Sequence, residues 1–210
     1  MQRLEVNDKK FEYPFVAYIP DNFTENLPLI IQLHGGGEKG NGGEDLYLVE
    51  RHGFSKLLSE KEYPCVVVMP QCPKEDIWLV QVKLIKKFIE QMQEEYKVDK
   101  SKTTVAGLSM GGYATWYLGT TYPDMFAAIA PCCGGGMPLY ATALTMPIWA
   151  FHGSDDDVVP PIESLNMINR VRKLGINDNV KLTIFDGVMH DSWKPAFIEP
   201  LLNWLLEQKK

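Results

Sequence analysis

The sequence predicts an α/β fold: a mostly parallel sheet of about eight strands with helices on both faces, in a single domain covering residues 1–210. Two observations carry this. Short β-branched apolar runs alternate along the chain with stretches whose apolar residues recur at three- and four-residue steps. Several of the short runs are apolar almost without interruption, as strands covered on both faces must be.

In chain order, the segment from Arg3 to Ile19 reads as an antiparallel hairpin turning at Asn7-Asp8, with Phe15–Ile19 as its second strand. The following strands are expected at Leu29–Leu33, Cys65–Met69, Thr103–Ala106, Ala127–Ala130, Ile148–Phe151 and Lys181–Phe185. Val82, Ile85, Ile89, Met92 and Tyr96 share one face of a helix from Val82 to Tyr96. A second helix starts just after Ser109. A third follows Pro160-Pro161, where proline suits a first turn, and stops near Gly175. The last runs from about Pro195 to Glu207 and buries Phe197, Leu201, Leu202 and Leu205. The chain shows no repeat, low-complexity tract or linker.

Composition narrows the function. With 45% apolar and 23% charged residues, the 210-residue chain can close a core without disulfide or metal staples. The net charge of −6, with Lys and Arg dispersed, offers no basic stripe for nucleic acid. No window approaches a membrane span, and the first ten residues lack an apolar leader core. The four cysteines, two of them adjacent at Cys132 and Cys133, fit reduced thiols. The expectation is a cytoplasmic protein, or a secreted one if a signal peptide has been removed.

The chemistry centres on Gly107-Leu108-Ser109-Met110-Gly111, a GxSxG pentapeptide set between an expected strand and an expected helix. Such a turn strains the serine backbone and exposes its hydroxyl above the sheet, at the positive end of the helix; glycines two residues either side relieve the crowding. Gly112 adds a second small residue where that helix packs closest. A serine hydroxyl needs an imidazole to take its proton and a carboxylate to orient that imidazole. The elbow resembles that of the α/β-hydrolases, in which the partners follow in the order serine, acid, histidine. His190, after the last expected strand, then stands where the base belongs; His152 ends a strand just before an acidic run, His34 opens a glycine run and shapes a loop, and His52 lies on a solvated helical stretch.

Asp155, Asp156 and Asp157 all follow the strand Ile148–Phe151, and their chemistry alone does not separate them. The segment resembles the HGxxDxxVP pattern of many α/β-hydrolase esterases, with His152, Gly153, Asp156, Val159 and Pro160 at the fixed positions; that register selects Asp156, with Asp157 as runner-up. The oxyanion formed in acyl transfer needs backbone N–H donors. Met110, following the nucleophile, is one; by resemblance of His34–Gly43 to the HGGG-type loop of esterases, Gly36 is the other, with Gly37 as the alternative.

Rival motifs fail on context. Gly35, Gly37 and Gly40 satisfy GxGxxG, but they run into Asn41-Gly42-Gly43-Glu44-Asp45 rather than a helix, and Asn41 stands where a phosphate-binding lysine is required. No His/Cys cluster has metal-ligand spacing, and vicinal cysteines do not readily share one tetrahedral zinc. Neither a metal nor a cofactor is expected.

Taken together, PLIIQLHGGGEKG, PQCPKEDIW, AGLSMGG, PCCGGG, FHGSDDDVVP and MHDSW span nearly the whole chain. They resemble the phospholipase/carboxylesterase-like branch of the α/β-hydrolases, and within it small bacterial esterases related to polyhydroxybutyrate depolymerases and feruloyl esterases. The resemblance implies a serine carboxylesterase with a Ser109–Asp156–His190 triad. About sixteen residues separate Pro131 from Ile148, too few for a cap domain, so an open site is expected that takes short-chain or carbohydrate-linked esters of the acetyl or feruloyl type. Trp78 and Trp193 are candidates to stack on substrate, although packing beside the core is the simpler role for each, and Glu38 either touches substrate or pins its loop. A thioesterase, peptidase or acyltransferase would use the same triad, while serine at position 109 disfavours a dienelactone-type hydrolase. A catalytically silent binding module would be free to lose one of these motifs.

Overall fold

A computed structural model describes all residues, Met1–Lys210. Eight strands form one sheet: β1 (Gln2–Val6), β2 (Phe15–Ile19), β3 (Leu29–Leu33), β4 (Val66–Pro70), β5 (Thr103–Leu108), β6 (Ala128–Cys132), β7 (Ile148–Gly153) and β8 (Val180–Phe185). Their spatial order is β1-β2-β4-β3-β5-β6-β7-β8. The first two strands and the β2–β4 pair are antiparallel, and every pair from β4 through β3 to β8 is parallel.

The alternation of side chains across the sheet accounts for the continuous apolar runs. In β3, Leu29, Ile31 and Leu33 enter one core and Ile30 the other; in β4, Val66 and Val68 face one side while Val67 and Met69 face the opposite. Helices α2 (Val82–Glu95), α3 (Met110–Thr121) and α4 (Ile162–Leu174) supply the first core with Phe88, Trp116 and Ile168. Helices α1 (Ser55–Glu60), α5 (Trp193–Ala196) and α6 (Glu199–Leu206) supply the second with Leu58, Ala196 and Leu202. No helix is long and apolar enough to cross a membrane.

Two local expectations need correction. The opening hairpin does not turn at Asn7-Asp8: pairing stops at Val6↔Phe15, and residues 7–14 form a longer loop. Pro14 lacks an N–H and biases the residue before it away from a tight turn. The last helix is two helices, interrupted at Phe197-Ile198 with Ile198 extended at φ −119°, ψ 174°. Pro200 cannot donate to the Ala196 carbonyl and its ring would crowd that oxygen, so a continuous helix is excluded. Helix α1 and the 3₁₀ stretch Gly43–Glu50 were not anticipated as separate elements.

Candidate active site

All the motif-bearing loops leave the carboxyl ends of the parallel strands, the end at which α/β sheets bind ligands. At the end of β5, Ser109 adopts φ 52°, ψ −115°, a conformation costly for a non-glycine residue, and Met110 begins α3. The glycines make this possible by absence of a side chain. A Cβ on Gly107 would overlap the Gly111 carbonyl oxygen, and one on Gly111 would overlap that of Leu33 at the end of β3. The elbow is therefore pressed against the loop that follows β3.

The Ser109 hydroxyl donates to Nε2 of His190 at 2.8 Å, and Nδ1 of His190 donates to Oδ2 of Asp156, also at 2.8 Å. With both ring nitrogens so engaged, the neutral imidazole carries its proton on Nδ1 and presents a lone pair to the serine. Asp156 is buried and its other oxygen accepts the N–H groups of Val158 (3.0 Å) and Val159 (2.9 Å). Asp155 and Asp157, one position either side, are exposed. The loops carrying Asp156 and His190 are laced together: Ser154 N–H donates to the Phe185 carbonyl at 2.9 Å and Asp155 N–H to that of Val188 at 3.0 Å. The Gly187 N–H donates to the Ser154 hydroxyl at 2.8 Å.

The other two late-strand and glycine-loop histidines are structural. His34 is buried, and Nε2 accepts the Cys72 N–H at 2.9 Å, so the proton resides on Nδ1, which donates to the Gly35 carbonyl at 2.6 Å. Burial lowers its pKa to about 4. His152 is fully buried between the Ser164 hydroxyl and the Val159 carbonyl, each at 2.8 Å, and burial lowers its pKa as well.

Gly36 and Met110 are each the first residue of a helical turn, the 3₁₀ turn Gly36–Glu38 and α3, so neither N–H has a partner within its own turn. Gly36 and Gly37 are exposed and have open space above them. Sequence reasoning missed what fixes this loop. Gln71, wholly buried, accepts the Gly42 N–H at 2.9 Å and donates to the carbonyls of Glu38 (3.1 Å) and Asp45 (2.7 Å). The signal was the Pro70-Gln71-Cys72-Pro73 run directly after an apolar strand, where a lone buried amide needs several partners.

Of the two roles open to Trp78, the structure selects packing over stacking on substrate. This residue is fully buried, its indole N–H donates to the His34 carbonyl at 3.0 Å, and it packs on Tyr13, so it braces the glycine loop and cannot touch substrate. Trp193 stands edge-on to the His190 ring at 5.4 Å and 89°, half-buried, with its indole N–H lacking an acceptor in the chain. The His52 ring lies 5.1 Å from that of Trp193 as well. His52 is thus half-buried rather than solvated, and its Nε2 is 3.7 Å from the buried Glu38 carboxylate. Glu38 therefore faces inward from its loop. A cleft of about 390 Å³ opens beside Trp193 between residues 51–60 and 193–199.

One grouping could hold a metal ion: Cys133 Sγ, Asp156 and His190 offer ligand atoms within 4.8 Å of one another. The His190 Nδ1 and Asp156 Oδ2 atoms are already bonded to each other, so a cation there would displace the proton that orients the base. Cys133 is buried and held at φ 39°. Between β6 and β7 the chain forms only the 3₁₀ turn Pro138–Ala143, and no cap covers the site.

Comparisons with known proteins give the family and the fold. Residues 63–204, more than half the chain, match the family described as Phospholipase/Carboxylesterase. The chain is 30% identical over 155 residues to a bifunctional acetylxylan esterase/xylanase of Neocallimastix patriciarum, covering 68% of this chain and 21% of that protein. It is 28% identical over 131 residues to poly(3-hydroxyalkanoate) depolymerase C of Paucimonas lemoignei, covering 56% and 30% respectively. The crystal structure of a thermostable esterase superposes on the whole of this chain with a TM-score of 0.80 at 29% identity, over 63% of that esterase. The chain thus spans less than two thirds of the length of each of these relatives.

Proposed function

The chain belongs to the phospholipase/carboxylesterase family, and from that premise we propose that it is a serine carboxylesterase acting on short-chain or carbohydrate-linked esters of the acetyl or feruloyl type. The observation that carries this reading is the unbroken hydrogen-bonded series Ser109–His190–Asp156, 2.8 Å at each link, at an uncapped mouth. The similarity to an acetylxylan esterase/xylanase supports the choice of acyl and alcohol.

The reaction proceeds in two acyl transfers. His190 Nε2 takes the Ser109 proton as Oγ bonds to the ester carbonyl carbon, and the N–H groups of Met110 and Gly36 receive the developing oxyanion. Gly37 is the alternative to Gly36. The proton on Nε2 then passes to the leaving alkoxide oxygen as its bond to carbon breaks. Water then gives a proton to His190 Nε2 as its oxygen bonds to the acyl carbon; the acyl carbon–Oγ bond breaks, the proton passes from Nε2 to Oγ, and the acid departs with Ser109 and His190 regenerated. Asp156 keeps Nδ1 protonated and stabilises the imidazolium that forms in each half. No step draws on a cofactor. The four cysteines are unpaired and buried, which fits a cytoplasmic location.

The test is turnover of p-nitrophenyl acetate and of acetylated xylo-oligosaccharides by wild type and by Ser109→Ala. Release of acetate from both, abolished in the variant, supports the reading. A folded wild type that releases none from either rejects it.

A further inference from the structure

The cleft beside Trp193 lies outside the triad, and the hydrolytic scheme leaves most of its side chains unused. We propose that it is the leaving-group subsite and that it takes a sugar bearing a carboxylate, a uronic-acid unit of the esterified carbohydrate.

Position comes first. The leaving oxygen must lie within hydrogen-bond reach of His190 Nε2, because that nitrogen returns the proton. Trp193 stands perpendicular against the same imidazole, and its indole forms one wall of the cleft. A leaving group that extends away from His190 past Trp193 therefore runs into this space. Its volume of about 390 Å³ is within the range of sites for small ligands.

Charge then selects the ligand. The cleft is lined by Arg51, Lys56 and Lys194 against Glu60 and Glu199. Lys194 is paired with Asp191 at 2.5 Å, and Glu199 with Lys61, so these two are compensated. Arg51 and Lys56 make no ion pair, and both are exposed. On a chain of net charge −6, the lining of this cleft carries two free cations against one free carboxylate, Glu60. A guanidinium recognises a carboxylate through two parallel hydrogen bonds, and an ammonium adds a point charge. The rings of His52 and Trp193, 5.1 Å apart, both line the cleft and give a sugar ring an aromatic surface.

This inference rests on the carboxylesterase reading for the direction in which the substrate runs, and binding can be read without turnover. Isothermal titration calorimetry on Ser109→Ala would compare a xylo-oligosaccharide carrying one glucuronate with the neutral oligosaccharide of the same backbone. The acidic ligand is expected to bind about fivefold or more tightly at low salt, from two exposed charge contacts. That advantage should shrink in high salt. It should vanish in Ser109→Ala carrying Arg51→Ala and Lys56→Ala, exposed changes whose folding is checked by circular dichroism. Trp193→Phe in the same background should weaken both ligands alike. Equal affinity for the two oligosaccharides, no binding of either, or a charge preference that survives the double substitution overturns the proposal. If the acidic ligand binds as expected while wild type releases acetate from no ester, the carboxylesterase reading falls and the anionic-sugar cleft stands.

Discussion

At the residue scale, reactivity depends on groups held in costly states by their neighbours. Asp156→Asn would keep the shape of the acid but offer an amide N–H to His190 Nδ1, favouring the wrong tautomer. By analogy with triads generally, kcat should fall by about 10⁴, with KM for p-nitrophenyl acetate changed far less. Gln71→Leu removes three hydrogen bonds that hold the glycine loop and strands the Glu38 and Asp45 carbonyls. It should cost roughly 1–3 kcal/mol in urea unfolding and lower kcat more than it raises KM. His34 supplies a pH dependence. Its pKa is about 4 in the folded chain against about 6.5 unfolded, so the unfolded state binds more protons between those values. Stability should be full above pH 6.5 and decline by about 3 kcal/mol on acidification towards pH 4. His34→Gln, able to donate to Gly35 and accept from Cys72, should flatten that slope in urea titrations across the window. An unchanged slope would assign the acid sensitivity elsewhere.

At the scale of elements, what was legible in the sequence was what short-range chemistry dictates. The β3, β4 and β5 runs announce burial on both faces, and the spacing of Ile85, Ile89 and Met92 gives α2 one apolar side. Gly175 ends α4 at φ 62°, as a left-handed cap should. The serine elbow could be read because its glycines are required by backbone contacts between adjacent elements. The acid could be placed only through a family pattern, because three consecutive aspartates differ in burial and not in chemistry. The break before α6 was signalled by Pro200, but a strongly apolar periodicity across 197–205 masked it. Trp78 and Trp193 look alike in sequence; one is a wholly buried brace and the other lines a cleft, a difference fixed by how far the loop after β4 folds back over β3. Helix α2 offers the element-level test. Phe88 packs edge-on to Tyr13 at 5.5 Å and Phe15 at 5.4 Å, so Phe88→Ala should lower unfolding free energy by roughly 3–5 kcal/mol while leaving the distant triad geometry intact.

At the scale of the molecule, one continuous sheet delivers every reactive group to the same edge. The proposed nucleophile, acid and base come from the ends of β5, β7 and β8, and the proposed oxyanion loop from β3. The short β6–β7 connection leaves this edge open. An uncapped mouth should favour acetate over dodecanoate esters, and rates should show no jump when a substrate passes from solution to an emulsion. Steady-state rates across a p-nitrophenyl ester series check this, and a preference for the long chain would contradict it. The central claim is that Ser109 is an activated nucleophile. Its most direct test is reaction of the folded protein with a fluorophosphonate, followed by mass spectrometry of the labelled peptide. A single adduct on Ser109, absent in Ser109→Ala and strongly slowed in His190→Ala, is the expected result. A folded protein that stays unlabelled, or carries the adduct on another residue, would contradict the account.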